Sequence, residues 1–260
     1  MDLKLQNHVV IVTGGAQGIG GGISELFAEE GAIVVVASRA TPEGLAFMES
    51  LSRKTTCLFI ETELGPSAAA QHVVEQTLAK FGRIDCIVNN AGVNDGASLE
   101  KGPQAFRDSL TSNLLHVFDL VHFALPALKA SRGNIVNITS KIVSTGQGGT
   151  SGYAAAKGAL NALTREWALD LAKDSIRVNA VAPAEVMTPL YEKWLMAQDD
   201  PAAMRRKIEH MIPLGQRMTT PREIAAMVVF LASSLSSHTT GQVLYPDGGY
   251  THLDRKYTRP

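Results

Sequence analysis

Short runs of apolar residues alternate along this chain with longer stretches in which apolar residues recur every three or four positions. The runs are rich in β-branched residues, as in His8-Val9-Val10-Ile11-Val12-Thr13, which is typical of strands buried on both faces of a parallel sheet. They predict strands at 8–13, 32–38, 57–61, 84–90, 133–139, 175–181 and 241–246. The longer stretches predict helices at 18–30, 42–53, 66–81, 103–129, 151–174 and 221–234. This alternation predicts an α/β fold with right-handed crossovers and helices on both faces of a parallel sheet.

Proline and glycine mark the ends of several predicted helices. Proline is tolerated in the first helical turn, where its missing N–H has no partner to lose, and glycine favours the left-handed residue that follows a helix. The prolines at helix starts are Pro42, Pro66, Pro103 and Pro221, and the glycines after helix ends are Gly31 and Gly82. These residues support the predicted boundaries.

One segment, 184–220, interrupts the alternation. Apolar side chains at Leu190, Tyr191, Trp194 and Leu195 form one stripe of a short helix, and a charged helical stretch follows. The stripe could pack on the core or on another subunit, or it could belong to a lid over a substrate pocket, and the sequence supports both interpretations equally. The two interpretations are compatible.

Length and composition favour one domain. The 260 residues contain no linker, low-complexity segment or internal repeat, so a single α/β domain over residues 1–260 is expected. A net charge of −1, from 24 basic and 25 acidic residues, indicates no surface for nucleic acid or an anionic membrane. The longest apolar runs are the length of strands, so no membrane span is expected. Cys57 and Cys86 lie in strand-like runs and are expected to be buried free thiols of a cytoplasmic protein.

The turn after the first predicted strand is rich in glycine. It reads Thr13-Gly14-Gly15-Ala16-Gln17-Gly18-Ile19-Gly20 and leads into a predicted helix. A strand, a glycine-rich turn and a helix N-terminus together place a pyrophosphate on backbone N–H groups, and glycine lets the backbone approach it closely. The turn therefore predicts a dinucleotide site.

A tyrosine and a lysine four residues apart supply candidate chemistry. In Tyr153-Ala154-Ala155-Ala156-Lys157 the two side chains share one helix face, so the ammonium is expected beside the phenol. A neighbouring cation favours the phenolate and is expected to lower the phenol pKa from its usual value of ~10. Such a phenol can act as general acid or base near neutral pH. Ser140 lies thirteen residues upstream of Tyr153, just after a predicted strand.

Six features, in this order, resemble the short-chain dehydrogenase/reductase family. They are the glycine-rich turn, Asn89-Asn90-Ala91-Gly92 after a strand, Asn113 in a helix, Ser140 at a strand end, Tyr153 with Lys157, and Asp247-Gly248-Gly249 after the last strand. The resemblance covers nearly the whole chain. It implies a Rossmann-like, doubly wound sheet of seven parallel strands with helices on both faces and a small helical lid insertion at about 184–220.

The resemblance also implies roles for four residues. Tyr153 resembles the catalytic acid/base, and Ser140 resembles the residue that hydrogen-bonds the substrate oxygen. Lys157 resembles the residue that lowers the tyrosine pKa and holds the nicotinamide ribose. Asn113 resembles the residue that binds a water molecule through which protons pass between the lysine and solvent. Taken alone, Ser140 fits a turn residue and Asn113 a polar helix residue, but the ordered set favours the functional roles.

A nicotinamide dinucleotide is the cofactor that the resemblance implies. The matching positions are Thr13, Gly14, Gln17, Gly18, Ile19, Gly20, Ser38, Arg39, Glu63, Leu64, Asn90, Ala91, Gly92, Tyr153, Lys157, Pro183, Val186 and Thr188. NAD-specific relatives carry an acid at the end of the second strand, where this chain has Ser38 followed by Arg39. A guanidinium suits a 2′-phosphate, so NADP is expected, with NAD as the alternative if Arg39 faces solvent or stacks on the adenine.

Two positions depart from the family pattern. Ala184 follows Pro183 where the family usually has glycine, and its Cβ is expected to disturb the backbone beside the nicotinamide. Glu63-Leu64 stands where the family often has Asp-Val near the adenine, so Glu63 is either an adenine contact or a solvated surface residue.

The less regular segments are expected to bind the substrate. The candidates are Asn94, Ser140, Lys141, Gln147, Tyr153, Glu185, Tyr191 and Trp194. The runs 146–153 and 183–194 look like those of bacterial sugar 1-dehydrogenases, which implies oxidation of an aldose such as L-fucose at C1 to its lactone. On this interpretation Glu185 binds ring hydroxyls, and an acid on the lid surface is an equal alternative. The family also implies a homotetramer in which the stretch 250–260 packs on a neighbouring subunit.

Other functions stay open. One is a hydroxysteroid or 3-oxoacyl reductase of the same family. A 3-oxoacyl substrate is bound to an acidic carrier protein, which would need a basic patch on the enzyme. The candidates for this patch are Arg205, Arg206 and Lys207, whose positive charge Glu209 partly offsets. Another is a dinucleotide-binding sensor that has lost catalysis, which the intact catalytic set opposes. The seven histidines show no metal-ligand spacing, so no metal is expected.

Overall fold

Seven parallel strands form one sheet at the centre of the protein. The computed structural model describes residues 2–254. Its strands are β1 (Val9–Thr13), β2 (Ile33–Ser38), β3 (Cys57–Glu61), β4 (Cys86–Asn89), β5 (Asn134–Ile138), β6 (Arg177–Val181) and β7 (Val243–Leu244). Each neighbouring pair is parallel, and the order is β3-β2-β1-β4-β5-β6-β7. The chain changes direction across the sheet between β1 and β4, which is where ligands of doubly wound sheets bind.

Helices cover both faces of the sheet and bury its side chains. They are α1 (Gly18–Glu29), α2 (Pro42–Ser52), α3 (Ser67–Phe81), α4 (Gly102–Leu110), α5 (His116–Ser131), α6 (Ser151–Asp170), α7 (Pro189–Met196), α8 (Pro201–His210) and α9 (Pro221–Ala232). One apolar cluster joins the sheet to α1, α2 and α9, and a second joins it to α3, α5 and α6. Because both faces are covered, the inner strands are continuous apolar runs, and the predicted fold class is confirmed.

The long predicted helix 103–129 is interrupted in the structure. A π-helical turn at Thr111–Leu115 separates α4 from α5. Such turns leave the regular i→i−4 hydrogen-bond pattern and frequently occur at functional sites. Sequence periodicity does not reveal the turn, because one extra residue shifts the helix face without breaking the apolar pattern.

The last strand is shorter than the predicted 241–246. Only Val243 and Leu244 pair with β6, opposite Ala180 and Val181. This strand lies at the edge of the sheet, and Pro246 has no N–H for further pairing. The other edge strand, β3, leaves Cys57 only partly buried, whereas Cys86 in β4 is buried as predicted. Both are free thiols.

The helix boundaries follow the predicted punctuation closely. Gly31 and Gly82 have φ angles of 76° and 70°, the left-handed conformation expected after a helix end. Pro42 and Pro221 open α2 and α9, each behind a threonine whose side chain accepts a hydrogen bond from the first turn. Pro66 is the N-cap of α3 rather than its first residue.

The insertion 184–220 contains α7 and α8 and returns to its own starting point. Val186 pairs with Thr219 in an isolated bridge, so the two ends of the insertion meet beside β6. The predicted apolar stripe is divided. Leu195 is buried in a small cluster of its own with Ile212 and Met218, whereas Leu190 is 69% exposed.

The helical stretch Leu99–Ser131 has the length and apolar composition to cross a membrane, which the apolar runs of the sequence did not predict. Its side chains Val117, Leu120, Ala124 and Leu128 are buried against the sheet and α3. A core helix explains this composition.

Candidate active site

A cleft of about 470 Å³ opens at the carboxyl ends of the strands. The loops after β1 to β6 all contribute to its wall. Most residues predicted to bind the cofactor or react with the substrate lie together here. The predicted residues that line the cleft are Gly14, Gln17, Gly18, Ile19, Gly20, Ser38, Arg39, Glu63, Leu64, Asn90, Ala91, Gly92, Ser140, Tyr153, Lys157, Pro183, Val186, Thr188 and Tyr191.

The glycine-rich turn has the backbone shape that a pyrophosphate cradle needs. Gly14 and Gly18 adopt φ angles of 61° and 56°, which disfavour residues with a side chain. A Cβ at Gly20 would lie 2.2 Å from the carbonyl oxygen of Gly14, so the turn closes only with glycine there. The N-cap Gln17 makes no side-chain capping bond, so the first N–H groups of α1 stay available to a phosphate. The residues present therefore fit a dinucleotide.

Thr13 does not line the cleft but holds its wall together. Its hydroxyl accepts hydrogen bonds from the backbone N–H of Asn90 at 2.9 Å and of Ala91 at 3.0 Å. The side-chain amide of Asn90 in turn donates to the carbonyl oxygen of Thr13 at 2.9 Å. These bonds fasten the loop after β4 to the glycine-rich turn.

Arg39 and Glu63 occupy the rim of the cleft. Both side chains are exposed, and among residues 2–254 the guanidinium of Arg39 has no ion pair. An unpaired cation at the end of β2 leaves its donors for a ligand. The rim contains no carboxylate directly after β2 that would repel a phosphate.

Three side chains with proton-transfer chemistry meet in the inner part of the cleft. Ser140 follows β5 and hydrogen-bonds Tyr153, which projects from the first turn of α6. Lys157 lies one turn further along α6, and its Nζ is 5.7 Å from the centroid of the Tyr153 ring. The Nζ of this buried lysine donates a hydrogen bond to the carbonyl oxygen of Ile138 at 2.8 Å. The predicted i, i+4 arrangement therefore exists.

The expected lowering of the Tyr153 pKa is wrong. Burial raises the pKa of the Tyr153 phenol, and the hydrogen bond with Ser140 offsets only part of this rise. Burial also lowers the pKa of Lys157 to about 8, and its ammonium is directed to Ile138 rather than to the phenol oxygen. The phenol is thus neutral at neutral pH and can donate its proton.

Asn113 lies in the π-helical turn, fully buried behind the cleft. Its Oδ1 accepts a hydrogen bond from the backbone N–H of Val93 at 2.7 Å, and its Nδ2 donates to the carbonyl oxygen of Ser109 at 3.0 Å. A Cβ added at Gly92 would lie 2.9 Å from Asn113 Oδ1 and 3.3 Å from Lys157 Nζ. Asn113 and Lys157 therefore approach each other at Gly92.

The candidate substrate residues divide into two groups. Glu185 forms an ion pair with Lys141 and accepts a hydrogen bond from the hydroxyl of Tyr191 at 2.6 Å. Asn94 accepts a hydrogen bond from the hydroxyl of Thr150. Of the eight candidates, Ser140, Tyr153 and Tyr191 line the cleft, whereas Asn94, Lys141, Gln147, Glu185 and Trp194 do not. Gln147 and Trp194 are exposed.

Ala184 has a backbone conformation that does not require glycine, and the effect of its Cβ beside the nicotinamide stays a prediction. It lines the wall and is not among the residues with a positive φ angle. The adjacent carbonyl of Pro183 accepts a hydrogen bond from the backbone N–H of Lys141 at 2.8 Å, which fixes this loop to the loop after β5.

His116 lines the cleft but was not among the predicted site residues. Its Nε2 is 3.1 Å from the carbonyl oxygen of Ser112, so this nitrogen carries the proton. Burial, with a further contribution from the charge of Lys157, lowers the pKa of His116 to about 4. Its position three residues after Asn113 was the one signal in the sequence. Among residues 2–254 no cluster of three His, Cys, Asp or Glu side chains could hold a metal ion.

Comparison with known proteins agrees with this geometry. A family model described as "Enoyl-(Acyl carrier protein) reductase" matches residues 14–251. The L-fucose dehydrogenase of Mus musculus is 39% identical over 258 residues, which cover 98% of this chain and 93% of the relative. The crystal structure of Cj0485 dehydrogenase is 49% identical with a TM-score of 0.93, and 98% of each chain is covered. The crystal structure of L-sorbose reductase from Gluconobacter frateurii, complexed with NADPH and L-sorbose, is 25% identical with a TM-score of 0.92, and covers 98% of this chain and 100% of that chain.

The chain belongs to the short-chain dehydrogenase/reductase family, as its motifs predicted. It is therefore an oxidoreductase that binds NAD(P) and acts on the CH–OH group of a small molecule.

Proposed function

We propose that the enzyme oxidises an aldose, such as L-fucose, at C1 to its lactone with NADP⁺. The observation that carries the chemistry is the meeting of Ser140, Tyr153 and Lys157 in one cleft beside the glycine-rich turn. The choice of a sugar is supported by the similarity to L-fucose dehydrogenase and to a structure complexed with L-sorbose.

The residues that would hold the cofactor lie along the wall of the cleft. The glycine-rich turn and the N-terminus of α1 would hold the pyrophosphate, with Gly14, Gly18 and Gly20 as the close contacts. Arg39, at the rim, would bind the adenosine 2′-phosphate, because a guanidinium can contact two phosphate oxygens at once. A structural relative that is complexed with NADPH supports this choice, and NAD is the alternative.

In the proposed reaction the C1 hydroxyl of the sugar loses its proton and C1 loses a hydride. The cleft would hold NADP⁺ as the acceptor for this hydride. Tyr153 accepts the hydroxyl proton on its phenolate oxygen, and the C1–O bond becomes the carbonyl of the lactone. Ser140 hydrogen-bonds the same substrate oxygen and steadies its developing charge. In the reverse direction the neutral phenol returns the proton.

Lys157 and Asn113 would assist this proton transfer. The positive charge of Lys157 would favour the phenolate, and its site meets Asn113 at Gly92. A water held there would connect the phenol to solvent. This role explains why a lysine is buried beside a tyrosine with only one hydrogen bond to the protein.

The rival substrates make different demands on the cleft mouth. An acidic carrier protein would need a basic patch, and of the three candidates Arg205 is already paired with Glu209 at 2.9 Å. A steroid would need a mostly apolar wall. The cleft wall at the loops after β5 and β6 instead includes polar side chains such as Ser140, Thr188 and Tyr191, which favours a hydroxylated substrate.

The test is a screen of NADP⁺ reduction with aldoses, a hydroxysteroid and a 3-hydroxyacyl thioester, followed by the appearance of NADPH. We expect turnover with L-fucose or a related aldose and lactone as the product. Turnover of the steroid or thioester with none of any sugar would overturn the proposal. Absence of any turnover, with NADPH bound normally, would favour a dinucleotide-binding sensor.

A further inference from the structure

Both oxygens of the Glu185 carboxylate are already engaged by other side chains. One oxygen is paired with Lys141 Nζ, and the other accepts the hydroxyl proton of Tyr191 at 2.6 Å. The side chains of Lys141 and Glu185 are only 12% and 13% exposed, so both charges are largely removed from water. A carboxylate held in this way has little capacity left for a sugar hydroxyl.

The two partners of Glu185 belong to elements with different tasks. Lys141 directly follows Ser140 in the loop after β5. Tyr191 lies in α7 and lines the cleft. Glu185 itself comes from the loop after β6. The carboxylate thus joins the residue next to the reacting serine to the helix that borders the cleft.

Other contacts reinforce this junction. Lys141 Nζ also lies 3.9 Å from the centroid of the Tyr250 ring, a cation–π contact with the C-terminal segment. Tyr191 packs edge-on against Trp194, with ring centroids 5.4 Å apart. By contrast α7 buries one side chain of its own, Leu195. A helix with so little buried apolar surface depends on polar contacts to stay in place.

We propose that Glu185 is a positioning residue that latches α7 over the substrate half of the cleft and, through Lys141, fixes the loop that carries Ser140. The latch is defined as Lys141, Glu185 and Tyr191. This inference rests on the proposed function, because it assigns the substrate to the part of the cleft that Tyr191 borders. It differs from a role for Glu185 as a direct ligand of the sugar.

Kinetics of two single variants separate the latch from a direct ligand. Glu185→Gln keeps an acceptor for Tyr191 but loses the ion pair, and Tyr191→Phe keeps the ion pair but loses the hydroxyl bond. Because a displacement of about 1 Å at a reacting group can lower the rate about 100-fold, we expect a fall in kcat of up to that size for Glu185→Gln. The loss should be the same for an aldose and its deoxy analogues.

The double variant supplies a second criterion. If both residues act through one latch, Glu185→Gln with Tyr191→Phe should be little worse than the more severe single variant. Glu49→Gln is the matched control, because it makes the same chemical change at a carboxylate of α2 that pairs with Arg53 at 3.2 Å, outside the latch and the cleft lining. It should keep the kinetics of the unmodified enzyme.

Fluorescence reports on α7 without any substrate. The protein has two tryptophans, Trp194 on α7 and the core residue Trp167. In a Trp167→Phe background, acrylamide quenching follows Trp194 alone, and in a Trp194→Phe background it follows Trp167 alone. We expect Glu185→Gln to increase quenching in the first background and to leave it unchanged in the second.

Unchanged quenching of Trp194, together with losses confined to KM for sugars that carry one particular hydroxyl, would overturn the latch and make Glu185 a sugar ligand. Equal increases in both backgrounds would also overturn it, since they would indicate general loosening of the fold. Increased quenching of Trp194 in an enzyme that turns over no sugar would support the latch while refuting the proposed substrate.

Discussion

Gly20→Ala is the sharpest test of the cofactor cradle, because the structure defines the clash. The added Cβ would lie 2.2 Å from the carbonyl oxygen of Gly14 and 2.5 Å from Asn90 Nδ2. The first distance is about 1 Å short of the 3.4 Å at which ordinary contact begins. Neither neighbour is free to yield, since Gly14 is backbone and the Asn90 amide is bonded to Thr13. The turn must therefore open.

The expected effect has two parts. Forcing a methyl group into a packed site typically lowers the free energy of unfolding by about 1–3 kcal/mol. Opening the turn also displaces N–H groups from the pyrophosphate, and losing one charge-assisted hydrogen bond of about 1.5–3 kcal/mol weakens binding about 10- to 100-fold. Fluorescence titration with NADPH gives the Kd, and urea unfolding gives the stability.

Gly158→Ala provides the matched control. It makes the same chemical change within α6, where an added Cβ meets nothing within 4 Å. The alanine should stabilise the helix by about 0.5–1 kcal/mol and leave the Kd for NADPH unchanged. If Gly20→Ala binds NADPH as tightly as Gly158→Ala does, the cradle assignment is wrong.

Three further predictions address the rim, the proton transfer and the fold. Arg39→Ser should lower kcat/KM with NADP⁺ about 10- to 100-fold and leave NAD⁺ kinetics nearly unchanged; a higher kcat/KM with NAD⁺ in the unmodified enzyme would refute the NADP preference. Because burial raises the pKa of Tyr153, the rate of sugar oxidation should increase about tenfold per pH unit in the alkaline range. The rate of the reverse reduction should not change with pH near neutrality. An oxidation rate that falls as the pH rises would contradict this prediction. Thr220→Ala removes the capping box of α9 and should lower the free energy of unfolding, measured by urea titration, by about 1 kcal/mol. An unchanged free energy of unfolding would show that the capping box does not stabilise α9. Arg217 and Thr220 lower the pKa of Glu223 to about 2, so its stabilisation is complete above the ordinary carboxyl pKa and is lost as the pH falls through about 2; the contact between Glu223 and Thr220 is part of the same capping box.

The fold was accessible from the sequence because buried parallel strands and glycine-rich turns leave local patterns. The run around Val9–Thr13 is apolar since the strand is covered on both faces, and Gly82 follows a helix whose end requires a left-handed residue. Edge strands carry weaker patterns. The length of β7 depended on pairing with β6, which a local apolar run does not specify.

The site was accessible only where function depends on residue type and spacing. The pair Tyr153 and Lys157 shares a helix face by geometry alone, so the sequence placed them correctly. The pKa of Tyr153 depended instead on burial by distant segments, and its predicted direction was wrong. The partners of Glu185 are likewise set by tertiary structure, since Lys141 is 44 residues away along the chain.

Transfer of the substrate proton to the Tyr153 phenol oxygen is the central claim, and the rate of aldose oxidation by Tyr153→Phe tests it most directly. General acid–base catalysis typically contributes about 100- to 10,000-fold, so we expect a loss of that size with the Kd for NADPH retained. Tyr245→Phe, which loses an equivalent hydroxyl away from the cleft, should oxidise the sugar at the rate of the unmodified enzyme. A Tyr153→Phe enzyme that oxidises the aldose as fast as the Tyr245→Phe control would contradict the account.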